Sequence, residues 1–205
     1  MLVRDVMRSP VVTIPPEMTL EAAYREMREQ GIRHLPVVEG ERLLGVVTDR
    51  DLRLATSALA PAPFGTGSRV SAVMSRPAVT ADAGDPIEDA ARAMRERKIG
   101  CLPVLEEGRL AGILTGLDLL DALMRMTGVD QPSGRLEVRL ADHPGELARL
   151  TALVAGRGLN VHSVLTHPDR SDVVRAVLRI GTIEVRSLAE ALRGSGFDVL
   201  WPPAR

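Results

Sequence analysis

Apolar residues recur at helical spacing in two segments of the N-terminal half. The spacing i, i+3, i+4 and i+7 predicts an amphipathic helix in each segment, with one buried face. The first stripe is Leu20, Ala23, Tyr24 and Met27, and the second is Ile87, Ala90, Ala91 and Met94. Gly31 is placed to end the first helix, and Asp85-Pro86 offers an N-cap and a first-turn residue for the second.

Strand patterns surround the first helix. Residues 10–14 predict a short strand that Pro15-Pro16 stops. Residues 35–38 and 43–47 predict a hairpin, and a second helix is expected to begin near Thr48 or Asp49. The expected order is therefore strand, helix, strand, strand, helix.

A seven-residue motif shows that this unit is repeated. Gly45-Val46-Val47-Thr48-Asp49-Arg50-Asp51 returns 67 residues later as Gly112-Ile113-Leu114-Thr115-Gly116-Leu117-Asp118. The same offset aligns Met7 with Met74 and the segment 35–37 with 102–104, and no gap is needed. A fixed register of this kind predicts two paired copies of one supersecondary unit.

The pattern changes after residue 134. Leu136, Val138 and Leu140 alternate with charged residues, which indicates a half-buried strand. A helix is expected from about Glu146, with Leu147, Leu150 and Val154 facing inward and its end at Gly156 or Gly158. Strands at 160–165 and 173–180, a helix carrying Val185, Leu188 and Leu192, and a strand at 197–200 complete the prediction. The order βαββαβ favours an antiparallel sheet with two helices on one face.

Composition divides the chain further. The segment from Ala55 to Gly67, rich in alanine, proline and glycine, separates the two copies, and Gly128, Pro132 and Gly134 mark the boundary before the last module. The predicted organisation is repeat 1 at 1–57, a connector at 58–69, repeat 2 at 70–125, a connector at 126–134 and a third domain at 135–201.

Charge and cysteine content limit the possible partners and location. The formal net charge is −1 and basic residues are spread along the chain, so neither nucleic acid nor an anionic membrane is an expected partner. No apolar run reaches the roughly 18 residues of a membrane span, and the start of the chain lacks the apolar core of a secretion signal. Cys101 is the only cysteine, which excludes an intrachain disulfide. We expect a cytoplasmic protein.

The repeated threonine and aspartate permit two interpretations. Thr48 followed by Asp51, like Thr115 followed by Asp118, is close to a capping box for the helix that begins there. The same arrangement can bind a nucleotide, with a phosphate beside the hydroxyl and backbone N–H groups and the ribose hydroxyls on the carboxylate. Spacing alone does not choose between a cap and a nucleotide site.

Both copies resemble CBS domains, repeats that pair and bind adenosyl ligands in the cleft between them. The resemblance covers residues 1 to about 124. It rests on Asp5-Val6-Met7 and Val73-Met74, the segments His34-Leu35-Pro36-Val37-Val38 and Cys101-Leu102-Pro103-Val104-Leu105, and the doubled motif. In the family the aspartate holds the ribose, the threonine approaches the phosphate and neighbouring segments enclose the adenine. The resemblance implies these nucleotide-binding residues: Thr13, Ile32, Arg33, His34, Pro36, Thr48, Arg50, Asp51, Thr80, Ile99, Cys101, Pro103, Thr115 and Asp118.

The two copies differ in charge around this expected ligand. Arg33, His34 and Arg50 in the first copy are replaced in the second by uncharged residues, namely Gly100, Cys101 and the pair Gly116-Leu117. The first copy therefore offers cations for phosphate charge and is expected to favour phosphate-rich nucleotides. The second motif is expected to lack such cations.

The third module resembles an ACT domain, a small regulatory fold that often senses amino acids. The residues that carry the resemblance are Asp142-His143-Pro144-Gly145-Glu146-Leu147 and Gly158-Leu159-Asn160-Val161. Gly145 permits a tight turn and Asp142 can cap the helix, so the same residues can also serve only the turn. The resemblance implies an amino-acid site at Asp142, His143, Gly145, Glu146, Leu147, Asn160 and Val161.

The sequence contains no motif that clearly indicates a catalytic or metal site. His143, His162 and His167 lie in one domain, but no carboxylate or cysteine spacing supports a metal site. Cys101 is expected to be a packed thiol, and no serine elbow, Walker loop or dinucleotide fingerprint is present. We expect neither a catalytic residue nor a metal, and the protein is not expected to be an enzyme.

The whole predicted architecture is an α+β fold, with two CBS repeats paired in one module followed by a βαββαβ ferredoxin-like ACT domain. It resembles the acetoin-utilisation regulatory family of bacterial proteins. The resemblance implies a regulator that senses AMP, ATP or S-adenosylmethionine, with an amino acid as a second candidate effector, and that acts on a protein that the sequence does not name. A structural or assembly adaptor with vestigial sites is the alternative, and a hydrolase that uses the histidines is a third hypothesis.

A homodimer through exposed helix faces is expected, with Met94, Met124 and Met126 as adaptable apolar surface.

Overall fold

The computed structural model describes residues 1–204 and divides the chain into two compact units. The first unit is Met1–Leu120 and the second begins at Asp121. Within residues 1–204, no helix combines the length and apolar character that crossing a membrane requires. The fold is mixed α+β, as the sequence predicts.

The two copies in the first unit contain matching elements. Copy 1 consists of α1 (Leu20–Gln30), β1 (His34–Glu39), β2 (Arg42–Thr48) and α2 (Asp49–Ala55). Copy 2 consists of β3 (Ala81–Asp82), α3 (Ile87–Arg97), β4 (Cys101–Glu106), β5 (Arg109–Thr115) and α4 (Gly116–Thr127). Each hairpin is antiparallel and has a bulge just before the motif glycine. The predicted helices and hairpins are therefore confirmed.

Local capping explains where α1 begins and ends. The Thr19 hydroxyl accepts a hydrogen bond from the backbone N–H of Ala22 at 3.2 Å, and Gly31 ends the helix with a φ of 65°. That left-handed conformation is one that glycine adopts without strain. The prediction that Gly31 ends α1 is confirmed.

Some local predictions are wrong. Residues 10–14 do not form a strand: only Ile14 pairs with β1, donating to Pro36 O at 3.1 Å and accepting from Val38 N at 2.9 Å. The flanking prolines explain this, since they have no N–H to donate. Asp85 does not cap α3, because Pro86 holds the N-cap position and the Asp85 carboxylate accepts from Asp82 N instead.

The limits of the buried helix stripe also differ from the prediction. Tyr24 on α1 is 39% exposed and Ala91 on α3 is half-buried, so the buried stripe of each helix is narrower than its spacing indicates. Met94 is only 6% exposed and packs in the core of copy 2. Met94 therefore cannot contribute to an exposed dimer surface, which corrects that expectation.

The N-terminal arms of the two copies are exchanged. The 3-10 turn Val3–Asp5 packs on copy 2, where Val3 N donates to Asp85 O at 2.9 Å. The turn Val70–Ala72, its repeat equivalent, packs on copy 1, where Val70 N donates to Met18 O at 2.8 Å. Val3 is accordingly a core residue of copy 2, and Val70 is a core residue of copy 1. Each copy is completed by a segment that the sequence places in front of the other copy.

The motif glycines make room for these arms. Backbone of Ser75 pairs with Val46 beside Gly45, and a Cβ added to Gly45 would lie 2.5 Å from Ser75 O. At the equivalent place in copy 2, a Cβ on Gly112 would lie 2.7 Å from Arg8 O. Only a residue without a side chain permits so close a backbone approach.

The second unit contains a four-stranded antiparallel sheet in the order β7-β8-β6-β9. Its strands are β6 (Gly134–Ala141), β7 (Val161–Arg170), β8 (Val173–Ile180) and β9 (Asp198–Trp201), and its helices are α5 (Glu146–Ala155) and α6 (Arg186–Gly194). The sequential order is βαββαβ, as predicted. Leu136, Val138 and Leu140 form a core with residues of both helices, which confirms the alternation in β6.

One inward-facing prediction in this unit is wrong. Leu147 is 39% exposed, whereas Leu150 and Val154 are fully buried. Leu147 lies in the first turn of α5, beyond the part of the helix that packs on the sheet core. The helix ends at Ala155 with Gly156 as C-cap, as predicted.

Charged side chains on the alternate positions of the sheet pair with one another. Glu137 is only 8% exposed, and its carboxylate contacts Arg135 at 2.5 Å and Arg175 at 3.0 Å. Hydrogen bonds from Arg139 and Arg175 hold the pKa of Asp169 below its usual range. The ion pairs allow a carboxylate to lie buried in this sheet.

We predict that Gly45→Ala destabilises the first unit by about 1–3 kcal/mol, because a well-packed contact has no room for a methyl group. Gly116→Ala is the matched control: it lies in the second copy of the same motif, but nothing stands within 4 Å of its added Cβ. Urea unfolding of both variants measures the effect. An equal stability of the two variants would contradict the close crossing at Gly45.

Candidate functional site

Both motif carboxylates are held by the threonine three residues before them. Asp51 Oδ2 accepts hydrogen bonds from Thr48 N at 2.9 Å and from Thr48 Oγ1 at 2.8 Å. Asp118 Oδ2 accepts from Thr115 N at 2.7 Å and from Thr115 Oγ1 at 2.5 Å. Asp51 N and Asp118 N return bonds to the threonine hydroxyls. The capping-box interpretation is confirmed, and it leaves the Oδ1 atom of each carboxylate for other partners.

An apolar seam between the copies lies beside these carboxylates. It is formed by the buried residues Val46, Cys101 and Ile113, with Val11 and Ala78 packed against them. Val46 and Ile113 are equivalent residues of the two motifs, so an approximate two-fold symmetry relates the two sides of the seam. The two motifs therefore approach each other through β2 and β5, the strands that carry Val46 and Ile113.

His34 lies close to both carboxylates. Its Nε2 lies 3.1 Å from the position that a Cβ on Gly100 would occupy, so the imidazole rests against copy 2. Burial lowers the pKa of His34, as does the charge of Arg33, and these causes outweigh the opposing effect of Asp51, Asp118 and Asp49. The imidazole is therefore neutral at neutral pH.

Cys101 is the repeat equivalent of His34. Burial, and secondarily the charge of Asp51, raises the pKa of the Cys101 thiol to about 12. A thiol with that pKa is protonated at neutral pH and is a poor nucleophile. Cys101 is thus a neutral, packed thiol near Asp51, as the sequence predicts.

The other predicted nucleotide-binding residues lie at different depths. Pro36 and Pro103 are buried within β1 and β4, and Ile32 and Ile99 are half-buried just before these strands. Thr13, Thr80, Arg33 and Arg50 are exposed. Their roles in ligand binding stay predictions.

Arg8 is a residue of the site that the sequence motifs do not reveal. Its Nε donates a hydrogen bond to Asp118 Oδ1 at 2.8 Å, although Arg8 belongs to the N-terminal arm of copy 1. The repeat register was the available signal, because the offset of 67 residues aligns Arg8 with the uncharged Ser75. The expectation that the second motif lacks a cation is wrong: the arm exchange brings Arg8 to it.

The predicted amino-acid-binding residues form two separate groups. Asp142, His143, Gly145, Glu146 and Leu147 belong to the turn and first helical residues after β6. Asn160 and Val161 lie at the start of β7, which aligns with the opposite end of β6 through β8. At about 3.4 Å per residue, the eight-residue strand separates the groups by roughly 24 Å. A single chain therefore does not bring these two groups of residues together.

The turn after β6 is held by backbone contacts. Asp142 N donates to Asp172 O at 2.9 Å, and Gly145 is the N-cap of α5 with a φ of 97°. No side chain caps this helix, so the expectation that Asp142 does so is wrong. A hydrogen bond from Arg149 lowers the pKa of Glu146, so this carboxylate is already paired within its own helix.

No group of three histidine, cysteine, aspartate or glutamate side chains is placed to hold a metal ion among residues 1–204. His143, His162 and His167 do not form such a group in the described part of the chain.

The exchanged repeats and the four-stranded sheet define two different modules that follow one another along the chain. The CBS domain model matches residues 3–57 and 70–125, and the ACT domain model matches residues 134–196. The chain belongs to the CBS domain family, and it carries an ACT domain after its CBS pair.

Relatives of known name agree with this assignment. A CBS domain-containing protein from Dictyostelium discoideum is 37% identical over 138 residues, which is 61% of this chain and 92% of the relative. The crystal structure of a protein from Vibrio cholerae assigned to acetoin utilization (AcuB) is 30% identical, covers 64% of this chain and 96% of its own, and superposes with a TM-score of 0.54.

Two similar structures contain adenosyl ligands. The CBS domain pair of protein MJ0100, in complex with 5'-methylthioadenosine and S-adenosyl-L-methionine, is 25% identical and covers 60% of this chain and 95% of its own, with a TM-score of 0.54. CBSX2 in complex with AMP is 27% identical and covers 61% of this chain and 97% of its own, with a TM-score of 0.55.

Some relatives are larger enzymes. An inosine-5'-monophosphate dehydrogenase from Korarchaeum cryptofilum is 32% identical over 181 residues, but the chain spans only 35% of that enzyme's length. This partial match assigns no dehydrogenase activity to the chain.

We predict that acid destabilises the first unit partly through His34. The folded-state pKa is lowered, so stability from the neutral imidazole is complete above the unfolded-state pKa of about 6.5 and declines as the pH falls below it. His34→Gln should therefore flatten the loss of stability between neutral pH and about pH 5. Denaturant titrations at several pH values test this. An NMR pKa for His34 above about 6.5 would contradict the burial argument.

Proposed function

We propose that this protein is a regulator that senses an adenosyl ligand in the cleft between its CBS copies. The observation that carries the proposal is a fixed carboxylate, Asp51, at the edge of an apolar seam. Thr48 holds its Oδ2, and no residue among 1–204 donates a hydrogen bond to its Oδ1. Complexes of the related MJ0100 and CBSX2 with adenosyl compounds support the class of ligand.

The chemistry of the cleft suits each part of such a ligand. A carboxylate can accept hydrogen bonds from both ribose hydroxyls, while adenine can pack against the half-buried apolar residues Ile32 and Ile99. Arg33 and Arg50 are exposed near the motif and can meet phosphate charge. AMP, ATP and S-adenosylmethionine share the adenosyl group and differ in the charge beyond it. The proposal therefore rests on the adenosyl group rather than on one of the three ligands.

An amino acid is the second proposed effector, at the ACT domain. Gly145 leaves backbone N–H groups at the start of α5 without a side-chain cap, and such groups suit a carboxylate. Because Asn160 and Val161 lie at the far end of the sheet, a site that uses both groups requires residues from two chains. The exposed edge strand β7, with Val164 and Leu165 36% and 40% exposed, is a surface for that second chain.

The proposal includes a homodimer. Leu117, Leu120 and Met124 follow the spacing i, i+3, i+7 along α4 and are 54%, 56% and 44% exposed. Met126 is 41% exposed on the same helix, so two of the three methionines expected at the surface are available there. An apolar helix stripe of this kind is self-complementary across a two-fold axis. The regulated protein would then respond to ligand-dependent changes in this dimer.

We predict that Asp51→Ala weakens AMP binding at its site by about tenfold or more, because charge-assisted hydrogen bonds are worth roughly 1.5–3 kcal/mol. Asp49→Ala is a suitable control, since Asp49 pairs with Arg53 in the same helix turn. Asp118→Ala tests the second motif. Calorimetric titration measures affinity, and melting without ligand reports any loss of the cap. Unchanged affinity in the Asp51/Asp118 double variant would refute the ribose role, and no binding of adenosyl ligands by the wild type would favour the adaptor alternative.

We also predict that Leu120→Glu converts the dimer to monomers, because burying an unpaired charge in an apolar interface is strongly unfavourable. Leu59→Glu provides the control, since Leu59 is 95% exposed in the connector and not on α4. Light scattering should give twice the 22.1 kDa chain mass for the wild type and the control. A wild-type mass of one chain at micromolar concentration would disprove the dimer.

A further inference from the structure

The two motif aspartates have different spare hydrogen-bonding capacity. Thr48 and Thr115 occupy Oδ2 of their aspartates in the same way. The Oδ1 atom of Asp118 also accepts from Arg8 at 2.8 Å, whereas no residue within 1–204 donates to Oδ1 of Asp51. Asp118 is only 5% exposed, and Asp51 is half-buried. A ribose at Asp118 must compete with the Arg8 guanidinium for Oδ1. A ribose at Asp51 has no such competitor for Oδ1 among residues 1–204.

The backbone of the arm determines this difference. Arg8 N donates to Ile113 O at 2.9 Å and Arg8 O accepts from Ile113 N at 3.0 Å, so the residue is fixed beside the second motif. Ser75 makes the same reciprocal pair with Val46 beside the first motif. The two arm positions are thus equivalent in backbone but carry a cation in one case and a short hydroxyl in the other.

We infer that Arg8 selects which of the two motif sites binds the adenosyl ligand, by holding the Asp118 carboxylate and leaving Asp51 for the ribose. This inference rests on the proposed adenosyl function and adds the order in which its two sites fill. The Asp51 site fills first. The Asp118 site fills only when the ligand displaces the Arg8 guanidinium.

The strength of this selection is moderate. The Arg8 side chain is 62% exposed and Asp118 is largely buried, so solvent screens the ion pair only from one side. A charge-assisted bond in this setting should weaken ribose binding at Asp118 by about fivefold. Because salt also screens the pair, the difference between the two sites should narrow at high ionic strength.

The decisive experiment exchanges the two arm residues and measures AMP binding by calorimetry. The wild type should show one tight site and one weaker site. Arg8→Ser, and Arg8→Gln as a second variant, should strengthen the weak site by about fivefold. Ser75→Arg should weaken the tight site by a similar factor. Arg4→Ser is the control, because Arg4 lies in the same arm but contacts Ala83 and Glu106 instead of the motif aspartates, and it should leave both sites unchanged.

The outcomes separate the two proposals. Two equal sites in the wild type, or weaker AMP binding after Arg8→Ser, would overturn the role of Arg8 while leaving adenosyl binding intact. The second of these results would mean that Arg8 contacts the ligand. Absence of AMP and S-adenosylmethionine binding in the wild type and in Arg8→Ser alike would overturn both proposals. Melting curves of the unliganded variants confirm that each is folded.

Discussion

The N-terminal unit depends on a close backbone crossing that occurs twice. The arm that precedes each copy passes over the motif glycine of the other copy, close enough that any Cβ would meet a carbonyl oxygen. This crossing joins the two cores, because Val3 and Val70 each pack in the copy that they do not precede. It also brings Arg8 and Ser75 beside the carboxylates that follow the strands. The glycine, threonine and aspartate of the motif thus have linked roles: approach of the arm, capping of the helix and presentation of a carboxylate.

A symmetric backbone here carries asymmetric side chains. The repeat places His34 and Cys101 in equivalent positions, and Arg8 and Ser75 likewise. In each pair the backbone contacts are matched, while charge and hydrogen-bonding capacity differ. Two equivalent sites would respond to ligand over one concentration range. Under the proposed function, two sites that differ in these side chains would respond over two ranges, which is a physical basis for graded sensing.

Much of this architecture follows from patterns in the sequence. Helical spacing, strand alternation and the offset between copies predict the helices, the hairpins and the βαββαβ order, since all of these depend on local periodicity. The offset also locates the capping boxes. The arm exchange was not predictable in this way, because it pairs residues far apart in the chain through backbone groups that every residue possesses.

The errors in the sequence-based predictions have the same cause, because local periodicity does not report contacts between distant parts of the chain. The bond from Arg8 to Asp118 depends on the crossing, which joins residues 110 positions apart. Met94 is buried, as its helical stripe predicts, which excludes it from the expected dimer surface. Leu147 is exposed because a stripe indicates a helix face but not which turns are covered. Asn160 and Gly145 were grouped by resemblance, yet strand register places them at opposite ends of one sheet.

We propose that the arm crossings leave the Asp51 carboxylate available to an adenosyl ligand and pair the Asp118 carboxylate with Arg8. A crystal structure of the protein grown with limiting AMP tests this most directly. We expect nucleotide at one motif, with the ribose hydroxyls on Asp51 Oδ1 and the Arg8–Asp118 bond unbroken. Nucleotide bound first on Asp118, or bound away from both carboxylates, would contradict it.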